Sequence, residues 1–241
     1  MRSFHTVTVK PTITASLQAA GVFTTGDVIF DWTEVQVPKG TSRINGITFL
    51  IRGTNGVRQE FAMDLYFAKT INGAAPGSLG TLNATADGTG YQNHIIGAAR
   101  MGVSEVVDGL DIMAVGAPQY LWTLSSSLTG DPDSGTNVGY DKLYIAGLSN
   151  TSSLPDFRST VQVSTETATN TTAVVVKTTS ALINFDKGDV LHDEDNQLIG
   201  TIKSVTDATN IVLEENCASV SAVDKDLYNI NPITLILHLE K

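Results

Sequence analysis

The last nine residues, ITLILHLEK (233–241), constrain the fold more than any other stretch. In an extended chain Ile233, Leu235, Leu237 and Leu239 share one face, while Thr234, Ile236 and His238 share the other. A strand this apolar is poorly suited to an exposed sheet edge and belongs inside a sheet. Directly before it lies a compact series of short strands and turns, of which DKGDVLHDEDNQLIGTIKSVTDATNIVLEENCA (186–218) is the clearest part. The final strand therefore belongs with the opening strand, FHTVTVK (4–10), and the series between is an insertion whose ends lie close together. Surface β loops accept such insertions because closure entropy grows slowly with length.

The rest of the chain supports an all-β reading. Runs rich in Val, Ile, Thr and Phe alternate with Gly, Asn, Asp and Ser clusters, the pattern of an antiparallel sandwich or barrel. Residues 28–30 and 35–37 read as two short strand segments, followed by a turn at Pro38-Lys39-Gly40. Ile44 to Arg52 reads as a buried strand. Asn55-Gly56 then predicts a hairpin, with Phe61, Met63, Leu65 and Phe67 on one face of the returning strand. Gly97 to Met113 reads as loop and strand with at most a turn of helix. Further strands are expected at 119–126, 142–149 and 158–165. Two polar loops, 70–91 and 128–141, separate these elements. The first is too glycine-rich to pack a core, and loops of that length are commonly functional or flexible. Five short strands between about 172 and 230 suit a small, strongly bent barrel, with turns at 193–197 and 206–210 set by Asx chemistry. The expected architecture is a jelly-roll-like antiparallel sandwich formed by residues 1–163 plus 229–241, with a small inserted β-barrel at 164–228.

Chemistry is sparse. The four histidines, His5, His94, His192 and His238, show no metal-ligand spacing among themselves. His192 stands beside Asp193, Glu194 and Asp195, but this acidic run lacks the calcium-loop pattern and reads as a solvated hairpin tip. Cys217 is the sole cysteine. It rules out an internal disulfide, and the preceding Glu214 and Glu215 raise its pKa and blunt its reactivity. Asp31, Glu34 and Asp64 lie near Trp32 and Tyr66 in sequence, which raises the thought of paired carboxylates at a sugar cleft. Two tryptophans, Trp32 and Trp122, are few for such a cleft. There is no nucleophile elbow and no phosphate-cradling loop. No catalytic residue, cofactor site or metal site is expected, and the chain is not expected to be an enzyme.

Charge narrows the partners. With 15 basic and 25 acidic residues the net charge is −10 and no basic cluster occurs, which argues against nucleic acid. No apolar run approaches the roughly 20 residues of a spanning helix. The opening residues lack the continuous apolar segment of a secretory signal, so folding in a cytoplasm is expected. What remains is an acidic, Thr- and Gly-rich β chain that acts by presenting surfaces, as such chains commonly do in symmetric oligomers.

The opening 53 residues, with GDVIFDWTEV (26–35), the VPKG turn (37–40) and GITFLIRG (46–53), resemble virion structural proteins of tailed phages, particularly the marine T4-like and cyanophage type. GDVLHDEDNQLIGTIKSV (188–205) resembles small β modules that recur in phage capsid and tail proteins. The resemblance implies a capsid decoration or minor capsid protein, located in the virion after assembly in the host cytoplasm. It implies contacts with the major capsid protein and with copies of itself, a trimer being one form, and no membrane partner. A receptor- or carbohydrate-binding module of a tail or fibre, using Trp32 or Tyr91, is the alternative.

Overall fold

A computed structural model of the chain describes residues 3–38, 43–52, 54, 61–101, 114–116, 141–150, 154–177 and 181–241. The described strands, in chain order, are β1 (Phe4–Val9), β2 (Val28–Gln36), β3 (Arg43–Ile51), β4 (Met63–Ala68), β5 (Ile95–Met101), β6 (Ala114–Gly116) and β7 (Lys142–Ser149). They continue with β8 (Ala173–Val175), β9 (Val190–Asp193), β10 (Leu198–Val205), β11 (Asn210–Leu213), β12 (Leu227–Asn229) and β13 (Ile233–Glu240). Two short helices, α1 (Ala15–Ala19) and α2 (Ala181–Asn184), accompany them. The fold is all-β and its sheets are antiparallel.

The closing strand sits inside a sheet, as its apolar face requires. The first sheet has the order β1-β13-β3-β6. Leu237 lies opposite Val7 on one side and Ile47 on the other. Ile233, Leu235, Leu237 and Leu239 are fully buried, and the residues between them are partly exposed. A second sheet, β2-β7-β4-β5, faces the first across one shared core. That core draws Val9, Phe49 and Leu237 from the first sheet and Ile29, Leu65 and Ile145 from the second. This is the packing of a β-sandwich.

Several elements depart from the sequence reading, each for a physical reason. Residues 28–30 and 35–37 are not two segments. Val28 to Gln36 is one strand whose pairing with β7 shifts register twice, so its hydrophobic alternation slips in mid-strand. β3 and β4 do not form a hairpin. β3 pairs with β13 and β6 while β4 pairs with β7 and β5, so the chain crosses between sheets there. The expected 158–165 strand makes only isolated bridges, Gln162 to Asp226 and Val163 to Val176. The expected strand at 119–126, the loop at 128–140, the Pro38–Gly40 turn beyond its first residue and the Asn55-Gly56 turn lie outside the described residues.

Those two isolated bridges close the smaller unit. Its sheet runs β12-β9-β10-β11-β8. Ser164 N–H donates to Val175 O at 2.8 Å on one side, and Leu227 N–H donates to Val161 O at 2.9 Å on the other. Residues 161–164 thus join the two edge strands. β10 carries a register shift against each neighbour, which supplies the bending that closure needs. Val161 and Val163 put their side chains into the core of this unit, with Leu191, Ile202 and Leu213.

The two lobes are tied together at α1. The buried Gln18 amide donates to Ile13 O at 2.7 Å and Asn229 O at 2.9 Å. Ser16 N–H donates to Asn196 Oδ1 at 2.9 Å, and the Asn196 amide returns a bond to Ser16 Oγ at 2.6 Å. Ile13 N–H donates to Ile230 O at 2.8 Å, and Arg52 pairs with Asp189 across the junction.

Candidate functional site

The carboxylates singled out from the sequence lie on β2 and β4 of the second sheet, and each is held by structural partners. Asp31 accepts from Ser78 Oγ at 2.5 Å, from Leu79 N–H at 3.1 Å and from Trp32 N–H at 2.9 Å. Trp32 Nε1 donates to Gly77 O at 2.8 Å, and its ring lies 6.3 Å from that of Tyr91. These groups fasten the 70–91 segment over the outside of the sheet, where Leu79 is buried with Val28 and Ala146. Glycine is what permits this covering. A Cβ on Gly88 would lie 2.0 Å from Ser78 O, and one on Gly77 would lie 2.4 Å from Thr89 O. The segment therefore packs, contrary to the expectation from its glycine content. Asp31→Ala is expected to remove the bonds that Ser78 and Leu79 donate, costing locally about 0.5–1.5 kcal/mol because Ser78 is exposed to water. Hydrogen exchange would read it as faster exchange across 77–90, with little change in the amides of β13.

Glu34 and Asp64 are engaged in the same way. Asp64 accepts two bonds from Arg100, at 2.8 and 3.0 Å, and one from Asn150 at 2.7 Å. Glu34 takes the Lys142 ammonium at 2.7 Å and the Tyr144 hydroxyl at 2.8 Å. The Lys142 bond, then the Tyr144 bond, hold the Glu34 carboxyl below its ordinary range. Burial, then the Glu34 bond, push Tyr144 up to about 12. Because the folded-state pKa of Glu34 is depressed, its stabilisation is present above the ordinary value of 4.5 and is lost as pH falls through the lower folded value. Glu34→Gln is expected to flatten that part of the acid limb. It should change neutral-pH stability by less than about 1 kcal/mol, since Glu34 and Lys142 are both partly exposed. Urea unfolding of both proteins at neutral and acid pH measures this.

The other candidates are equally local. Asp193 Oδ1 accepts the N–H groups of Asp195 and Gln197 at 3.1 and 2.9 Å, which builds the hairpin turn. Glu194 and Asp195 hold Lys225 Nζ at 2.6 and 3.0 Å and push its pKa up. Among the described residues no group of three His, Cys, Asp or Glu side chains is arranged to hold a metal ion. His238 Nε2 lies 3.1 Å from Thr48 Oγ1 on the outer face of the first sheet. Cys217 is buried, and burial is the leading reason its thiol pKa is raised; the neighbouring glutamates do not account for it. Trp122 lies outside the described residues.

Two surface features remain. One is a cleft of about 240 Å³ at the lobe junction, lined by Lys10, Arg52, Lys187, Asp189 and Asn231 among others. The other is the β1 edge, beside a shallow hollow lined by Phe4, Thr6, Asn45 and His238. β1 has β13 on one side and no strand on the other among the described residues. Ser3 and Lys241 exchange backbone bonds of 3.0 and 2.9 Å. In an antiparallel ladder such pairs alternate, so the peptide groups of Phe4, Thr6 and Thr8 face away from β13. Sequence pattern alone did not mark this edge, because alternation identifies a strand and not the side on which it lacks a neighbour.

No family model and no curated protein matches the chain.

Proposed function

We propose that the chain is a non-enzymatic structural component of a tailed-phage virion, a decoration or minor capsid protein that docks on the major capsid protein and on copies of itself. The observation that carries this reading is the engagement of Asp31, Glu34 and Asp64. Each ties strands or loop together, which supports a structural role for the outside of the second sheet. The resemblance of residues 1–53 and 188–205 to phage structural proteins supplies the virion setting. A net charge of −10 suits a position on the outside of a particle, away from packaged DNA. Many weak contacts suffice for such a role when the copies are linked through the particle. The glycan-binding alternative draws less support, because the Trp32 indole is bonded beneath the 70–91 segment.

Immuno-gold labelling of virions tests the assignment. Label over the capsid faces is the expected result, and label confined to the tail would favour the receptor reading. Particles stripped of the protein should lose resistance to heat and regain it on adding the recombinant chain; unchanged resistance would overturn the stabilising role.

A further inference from the structure

We infer that the β1 edge is a self-pairing surface, on which a second copy of this chain adds its own β1 antiparallel about a two-fold axis midway between the two copies of Thr6. The inference concerns the chain in isolation and stands whether or not the virion reading holds.

The outward-facing peptide groups belong to Phe4, Thr6 and Thr8, and they are symmetric about Thr6. A copy rotated by a half-turn places Phe4 opposite Thr8, Thr6 opposite Thr6 and Thr8 opposite Phe4. Every N–H and C=O of those three residues that lacks a backbone partner among the described residues then gains one, with none left over on either copy. A three-fold arrangement cannot use this symmetry, because its contacts are head-to-tail. The product is one continuous sheet of eight strands, β6-β3-β13-β1 followed by the same order reversed in the second copy.

The side chains agree with the backbone. Phe4 is the most exposed of the large hydrophobic residues described, at 72%. In the paired arrangement its ring lies across from a Thr8 methyl, an aromatic–β-branched pair of the kind that stabilises sheets. No residue from Phe4 to Val9 bears a formal charge, so the two copies bring no like charges together within the strand. Within β1 itself three common protections of an edge are absent. β1 contains no lysine, no proline and no bulge, and its six-residue register with β13 is uninterrupted. The β2 edge of the other sheet differs. There Val28 N–H donates to Ala84 O, Asn83 N–H donates to Val28 O, and the strand is bulged.

So short an edge covers less than the roughly 1,200 Å² of a stable complex. The pair should therefore form progressively with concentration and strengthen where copies are held near one another. Sedimentation velocity of the full chain over about two decades of concentration tests this. The mass should rise from the 25.6 kDa of one chain toward twice that value. Thr6→Pro removes the central outward donor while leaving the bonds to β13 intact, and should weaken association about tenfold or more. Thr8→Lys, which alters only a side chain, should do the same and carries the test if circular dichroism shows the proline variant unfolded. Amide exchange at Thr6 and Thr8 should slow as wild-type concentration rises. A single-chain mass at the highest concentration would overturn the inference. So would a three-chain assembly, or self-association of undiminished strength in the folded variants.

Discussion

Leu237→Ala is expected to lower the stability of the protein by about 2–5 kcal/mol, the range for a large-to-small change in a close-packed core. Leu237 is fully buried between Val7 and Ile47, and its side chain enters the core shared by both sheets of the sandwich. The cavity has few ways to collapse. β13 is clamped by ladders on both sides, so its backbone cannot move inward without breaking hydrogen bonds to β1 or β3. Urea unfolding should show the midpoint fall with an unchanged slope, the signature of lost stability without a change in exposed area. Hydrogen exchange should show β1 losing protection together with β13, since β13 is the only strand paired with β1 among the described residues. Leu198→Ala is the matched control. Leu198 is 43% exposed at the start of β10, and its replacement should change stability by no more than about 0.5 kcal/mol. A Leu237 variant as stable as that control would mean that the closing strand does not anchor the core.

Arg52→Ala is expected to cost about 1–3 kcal/mol at neutral pH, the penalty for leaving a largely desolvated carboxylate without its main partner. Arg52 ends the β3 ladder and reaches across the junction to Asp189, whose side chain is only 10% exposed. Burial is the largest influence on Asp189 and raises its pKa above the ordinary 3.8; the Arg52 charge is the chief opposing influence. Removing the guanidinium therefore raises the folded-state pKa further. A group whose folded pKa is raised favours the folded state when protonated. Its contribution is present below the unfolded value and is lost as pH climbs through the folded value. The deficit of Arg52→Ala should thus be small near pH 3.8 and grow toward neutrality. Adding Asp189→Asn should recover much of it, because the amide carries no charge to desolvate. A deficit independent of pH would mean that Arg52 acts through packing alone.

The parts of the fold that were legible in the sequence are those whose information is local. β13 announced itself by strict alternation, and each of Ile233, Leu235, Leu237 and Leu239 is buried. The short strands β9, β10 and β11 were legible because turns with strong side-chain chemistry delimit them. Asp193 caps one such turn, and Asp207 accepts from Thr209 and Asn210 in the next. What was not legible depends on partners far along the chain. The alternation of β2 slips because β7, more than a hundred residues later, pairs with it through two register shifts. The Asn-Gly signal between β3 and β4 could not reveal that β3 is claimed by β13 and β4 by β7.

The surroundings of the candidate carboxylates followed the same rule. Asp31 and Trp32 find their partners at Ser78, Leu79 and Gly77, some 45 to 48 residues on. Nothing near Asp31 in the sequence points to them. The glycines of the 70–91 segment suggest a failure to pack, because composition records the absence of a side chain and not the room it leaves. At Gly88 that room is filled by the backbone of Ser78 and Leu79. Val161 and Val163 show a subtler limit. Their alternation correctly marks an extended segment, but only the smaller core decides which lobe receives the side chains.

The paired backbone bonds between Ser3 and Lys241 carry a practical consequence. A polypeptide joined ahead of one and a polypeptide joined behind the other leave the molecule side by side, from the same corner. A short peptide linker bridging the two positions would give a covalently circular chain without disturbing either ladder. The molecule could then be reopened at the 206–210 turn, where Asp207 is exposed, so that the new ends emerge from the smaller lobe.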